Sequence, residues 1–135
     1  MPSDMLKEIS KARLNSAKER IAFAKQIQTI GDYKTVANRS YYATFAAMRA
    51  VLALDEFDSK KHSGIIAEFR KRYLKTGVLS KDLSPIIDEL VELRQGSDYD
   101  DFYTVTPDEA DHSLTIADQF VSEIEQYLLA RYSEK

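Results

Sequence analysis

The sequence contains no cysteine, only 4 glycines and 3 prolines, and no apolar run of bilayer-spanning length. Without cysteine, disulfide scaffolds, thiolate metal sites and cysteine nucleophiles are excluded together, which suits a reducing cytoplasm. The N-terminal MPSDMLKEISKARLN is charged from its first residues and lacks the apolar core of a signal peptide, so neither secretion nor membrane insertion is expected. Scarcity of glycine and proline leaves few natural breaks, and between them no stretch alternates like a strand. The net charge of −3 gives nucleic acid no global attraction, so any anion site must be local. What remains, 44% apolar and 30% charged residues over a length of 135, is the composition of one globular domain spanning 1–135.

Apolar spacing predicts an all-α fold. Leu6, Ile9, Ala17, Ile21, Ala24 and Ile27 recur at helical steps until Gly31, a glycine stop, after which Asp32 can cap a second helix running to about Leu54. A shorter helix is expected from His62 to Tyr73. Ser84-Pro85 reads as cap and first turn of a fourth helix carrying Leu83, Ile87 and Leu90 and fading near Tyr99. Thr106-Pro107-Asp108-Glu109 combines a capping box, a proline at the first helical position and acids at the positive helix end. Ala110, Leu114, Ala117, Val121, Ile124 and Leu128 follow in regular 4-3-4-3-4 steps. Four principal helices with short connections, plus one short helix, predict an antiparallel up-and-down bundle.

Two arginines fall on apolar stripes. Arg39 shares its helical face with Val36, Ala43, Ala46 and Ala50, and Arg94 continues the stripe of Leu83, Ile87 and Leu90 toward Ser97. A guanidinium facing an interior keeps its charge and needs acceptors, either carboxylates of the protein or a ligand's phosphate. Asp98, Asp100 and Asp101 offer the first, in an arginine–aspartate network at the end of the fourth helix. A recessed anion pocket using both arginines, with Tyr42 stacking on a base or donating to phosphate, is the second.

The stretches RSYYATFAA from Arg39, KHSGII from Lys61, KTGVL from Lys75 and ELRQGSDYDDF from Glu92 together resemble the HEPN domain family, in its small stand-alone prokaryotic branch. The resemblance implies an all-α up-and-down bundle, often a homodimer, associated with nucleotide or RNA binding. Many members are metal-independent ribonucleases bearing arginine, four to six arbitrary residues, then histidine. Toxin members are often paired with a small nucleotidyltransferase antitoxin. Arg94 takes the place of the motif arginine, but no histidine follows; Tyr99 stands at the four-residue position, and a tyrosine near its ordinary pKa of ~10 is a poor proton shuttle at neutral pH. Asp101 stands where modified toxins carry a tyrosine.

Only His62 and His112 could supply an imidazole. His62, beside Lys60 and Lys61 at a helix opening, can form an anion-binding corner or simply help the helix start. His112, among acids, reads as exposed and structural. The run Asp98, Asp100, Asp101 lacks the glycine and distal glutamate of a calcium loop, so no metal or other cofactor is expected. Arg70, Lys71, Arg72 and Lys75 read as a solvated face. The leading expectation is a nucleotide- or RNA-binding module, dimeric and paired with a nucleotidyltransferase in a toxin-antitoxin-like or defence system. Its site would be Arg39, Tyr42, His62, Arg94 and Tyr99. A ribonuclease using Arg94 with a non-standard proton donor, and a purely structural interaction domain, are the alternatives.

Overall fold

A computed structural model describes residues 2–99 and 103–134, and the side chains within 4–96 and 103–134. The helices are α1 (Pro2–Thr29), α2 (Tyr33–Ala53), α3 (His62–Phe69), α4 (Leu83–Tyr99) and α5 (Pro107–Tyr132), and a π-helical turn, Arg70–Leu74, extends α3. Among the described residues there is no strand. Four long helices and one short one form the expected all-α bundle. Contacts between Ser10 and Ala50, Arg13 and Arg49, and Arg20 and Tyr42 run in opposite directions along α1 and α2, so these two are antiparallel. Ser10 with Tyr132, Lys18 with Glu125 and Lys25 with Asp118 make α5 antiparallel to α1 as well.

α2 occupies the centre, touching each of the other α-helices. Its alanines explain why it can: Ala37, Ala43, Ala47 and Ala50 are fully or almost fully buried, and their small side chains let neighbouring backbones approach. Phe69, Phe120, Met48, Leu52 and Ile65 fill the remaining interior. Gly31, at φ 80°, adopts the left-handed turn that ends α1, and Asp32 then accepts a hydrogen bond from the Thr35 amide to open α2. The capping box of Thr106 and Glu109 forms reciprocally, an arrangement whose threonine contributes on the order of 1 kcal/mol.

Three sequence expectations need adjustment. Ile9 is 37% exposed, and Ser10 instead holds the core position on α1, because its hydroxyl donates to the Ala50 carbonyl at 2.7 Å and pairs with the Tyr132 hydroxyl at 2.6 Å. α4 begins at Leu83, inside which Ser84 lies, so that serine is not the cap. The third helix does not remain α-helical to Tyr73: the Lys75 amide reaches back to the Arg70 carbonyl at 2.9 Å, the wide spacing of a π turn. Tyr73 thereby meets α5. Its hydroxyl donates to Asp55 at 2.5 Å and accepts from Arg131 at 2.7 Å, while Arg131 also pairs with Asp55 at 3.0 Å. Burial, reinforced by Asp55, pushes the Tyr73 hydroxyl far above its ordinary pKa and keeps it protonated.

Candidate functional site

Tyr41, Phe45 and Arg49 stand at four-residue steps on α2 and therefore share a face. The turn at residues 58–61 lays His62, the first residue of α3, on that face. Its construction is local: Asp58 accepts from the Ser59 amide, Ser59 from the Lys61 amide, and Gly64 passes so close that a Cβ there would lie 2.6 Å from the Ser59 hydroxyl. The His62 ring stacks on Phe45 at 4.1 Å between centroids, and its Nδ1 pairs with the Tyr41 hydroxyl at 2.9 Å. Tyr42 meets the same imidazole edge-on at 5.7 Å. An imidazole held by one stack and one hydrogen bond has little freedom to rotate.

Arg94 arrives from α4. Its guanidinium lies 4.9 Å from the centre of the Tyr41 ring and 5.5 Å from that of Tyr42, and donates to the Tyr42 hydroxyl at 3.2 Å. Burial, then the positive charges of Arg94 and Arg49, hold the His62 imidazole below its ordinary pKa, so it is neutral at pH 7. A permanent cation and an uncharged imidazole thus sit together around two tyrosines, all half-buried or buried. Phe45, Arg49, Asp58, Ser59, Lys60 and His62 line an adjoining open recess of about 660 Å³.

Of the residues expected from sequence, Tyr42, His62 and Arg94 come together. Arg39 lies elsewhere on α2, 5.7 Å from the Phe23 ring, in a recess of about 500 Å³ shared with Ser16, Glu19 and Arg20. Val36, Ala43 and Ala50 of its stripe are fully buried, but Arg39 and Ala46 remain at the seam, where a long side chain reaches solvent along α1. Arg20 links the two regions, its guanidinium 5.8 Å from the Tyr42 ring. The side chain of Tyr99, like those of Asp98, Asp100 and Asp101, lies outside the described residues.

Sequence reasoning missed Tyr41 and Phe45 as the supports of His62 and Arg49 as its cationic neighbour. The four-residue spacing was a signal for the α2 face, but nothing local showed that α3 would open over it. The basic run beyond α3 is substantially paired: Arg70 with Asp88 at 2.6 Å and Arg72 with Glu68 at 2.8 Å. His112 lies 3.5 Å from Glu89, on a smaller recess of about 200 Å³ that Glu89, Glu92 and Glu109 also line. Its acidic lining has the wrong sign for phosphate. Among the described residues, no three histidine or carboxylate side chains gather to hold a metal ion.

A helical bundle with an arginine from one helix set over tyrosines of another, beside a fixed histidine, defines the class as all-α with a cationic aromatic recess. The chain belongs to the HEPN domain family, whose match covers residues 10–127. It is similar to a protein of Methanocaldococcus jannaschii named "Putative toxin MJ0142", 28% identical over 118 residues, 87% of this chain and 80% of that one. A second protein of that organism, "Putative toxin MJ0605", is 28% identical over 123 residues, 91% of both chains. A "UPF0332 protein" of Thermotoga maritima is 28% identical over 112 residues, 83% of this chain and 85% of its own. No helix among the described residues is long and apolar enough to cross a membrane.

Proposed function

We propose that this protein is a toxin-like RNA-binding module, acting in the cytoplasm as a homodimer and partnered by a small nucleotidyltransferase. One observation carries the reading: Arg94 is held over Tyr41 and Tyr42 near His62, and His62 in turn lines a recess where Arg49 and Lys60 add charge of the same sign. A planar guanidinium fork suits phosphate oxygens, and tyrosine edges with a fixed imidazole suit ribose and base. This local positive charge stands against a net charge of −3, as a dedicated anion site requires. Arg20 and Arg39 extend it along the seam between α1 and α2, where a strand longer than one nucleotide would run. The toxin names of two relatives support the toxin-like part of the reading.

Calorimetry with short RNAs and mononucleotides tests it. Wild type should bind, and a folded Arg94→Ala protein should bind much more weakly; no binding by wild type, or equal binding by the variant, removes the site. Equilibrium ultracentrifugation tests the dimer, and co-purification with a nucleotidyltransferase from the same genome tests the partner.

The placement of His62 favours a second reading, metal-independent RNA cleavage. The imidazole would accept the proton of a ribose 2′-hydroxyl as its oxygen attacks phosphorus and the bond to the 5′-oxygen breaks. Arg94 would stabilise the charge on the five-coordinate phosphorus, the leaving 5′-oxygen would take a proton from water while the imidazolium returns its own to solvent, and the products would be a 2′,3′-cyclic phosphate and a 5′-hydroxyl end. A histidine from α3 would then do what the family motif assigns to the helix of the arginine. Cleavage in the presence of chelator that is lost in His62→Gln, with RNA binding retained, would select this reading over binding alone.

A further inference from the structure

Arg13 of α1 and Arg49 of α2 grip one carboxylate. Arg49 donates to Asp58 through Nε at 3.3 Å and Nη2 at 2.9 Å, and Arg13 reaches the second of these oxygens at 3.3 Å. Arg13 also donates to the Arg49 carbonyl at 3.4 Å, which ties its guanidinium to the α2 backbone. Lys60 lines the same recess. Two arginines therefore share one carboxylate, and with Lys60 on the recess that Arg49 and Asp58 line, the three cations exceed this carboxylate by two formal charges near His62. Burial and the charge of Arg49 lower the Arg13 pKa, the expected cost of setting two guanidinium groups side by side. The Asp58 side chain is 49% exposed and can turn into water at small cost.

We propose that Arg13, Arg49 and Lys60 form a subsite for a terminal phosphomonoester of a nucleic acid, with Asp58 as the resident counterion it displaces. The inference rests on the RNA-binding reading and names the end of the strand. Asp58 is tethered, so it competes at a high effective concentration, and a phosphodiester with one negative charge gains little by replacing it. A phosphomonoester carries nearly two negative charges at neutral pH and three acceptor oxygens, matching the surplus charge and both arginine forks. The stacked Phe45–His62 pair lies beside Arg49, so the terminal nucleoside would rest there and the next phosphate would fall to Arg94.

Fluorescence anisotropy with one short RNA in three forms, bearing a 5′-phosphate, a 3′-phosphate or hydroxyls at both ends, tests the proposal and identifies the end. One phosphorylated form should bind at least about tenfold more tightly than the hydroxyl form, the scale of hydrogen bonds to a charged group. Arg49→Gln should abolish that preference. Asp58→Asn should strengthen binding of the preferred form by a larger factor than that of the hydroxyl form, a selective gain that misfolding cannot produce. Equal affinity of all three forms for wild type, a preference surviving Arg49→Gln in a protein with a native circular dichroism spectrum, or no selective gain in Asp58→Asn overturns the subsite. If all three bind equally and all need Arg94, the RNA-binding reading stands without it. If nucleoside monophosphates bind through Arg49 while none of the three RNAs binds, the nucleic-acid subsite and the RNA-binding reading both fall.

Discussion

Replacing Arg94 with glutamine separates what this side chain does for the fold from what it does for a ligand. In the free protein it faces two tyrosine rings at 4.9 and 5.5 Å and donates to the Tyr42 hydroxyl at 3.2 Å. At a half-buried position each of these contacts contributes roughly 0.5–1 kcal/mol, so the variant should lose about 1.5–3 kcal/mol of stability and stay folded. With RNA bound the arithmetic differs. A guanidinium on phosphate is a charge-assisted hydrogen bond of about 1.5–3 kcal/mol, so Kd should rise by about ten- to a hundredfold. Because one phosphate contact disappears, the slope of log affinity against log salt should become shallower by about 0.7 for a single strand.

Arg94→Lys sharpens the comparison. It keeps the charge and hence the slope, but loses the planar fork and the broad contact with the tyrosine rings, so affinity should fall while salt dependence does not. Anisotropy titrations across a salt series, with thermal denaturation of each variant followed by circular dichroism, read both quantities. A folded Arg94→Gln protein with the wild-type slope and affinity would refute the assignment of Arg94 to phosphate.

In an NMR titration, His62 should have a pKa below the ordinary histidine value, and Arg94→Gln should raise it only part of the way, since burial is the larger cause. A group with its folded pKa depressed contributes stability that is complete above its unfolded pKa and is lost as pH falls through the folded value; acidification should therefore destabilise wild type more than His62→Gln. Tyr41→Phe removes the partner of Nδ1 at 2.9 Å while keeping the ring that Arg94 covers, so RNA binding should persist, and any cleavage activity should fall as the imidazole loses its fixed orientation. Tyr73→Phe deprives Asp55 and Arg131 of a shared hydroxyl and should cost about 1–2 kcal/mol in urea denaturation. Glu56 holds a φ of 58° as the Phe57 amide closes back on the Leu52 carbonyl at 3.1 Å, and Glu56→Gly should relieve that conformation and stabilise the protein by roughly 0.5–1 kcal/mol.

Helix positions were legible because their causes are local. Asp32 and the Thr106–Glu109 box cap the helices they were expected to cap, and every residue of the Ala110-to-Leu128 stripe is buried. The exceptions arise where a distant partner decides. Ser10 displaces Ile9 from the core only because a carbonyl of α2 and a hydroxyl of α5 await it, and the π turn at residues 70–74 brings Tyr73 to Asp55 and Arg131. No spacing rule within α1 or α3 contains those partners.

The site was legible to the same extent and for the same reason. Helical periodicity fixes the direction of Arg39 and Arg94 around their own axes, but not which neighbour stands opposite. α1 stands opposite Arg39 and supplies Phe23; α2 stands opposite Arg94 and supplies Tyr41 and Tyr42. His62 shows the difference most clearly. Along the chain it precedes Arg94 by a whole helix and lies outside the arginine-to-histidine spacing of the family motif, yet the Asp58–Ser59 turn and the Phe45 stack bring it to the tyrosines that Arg94 covers. What a phosphate would meet is set by where groups end in space, so an imidazole absent from one helix can be supplied by another whenever a third helix holds both.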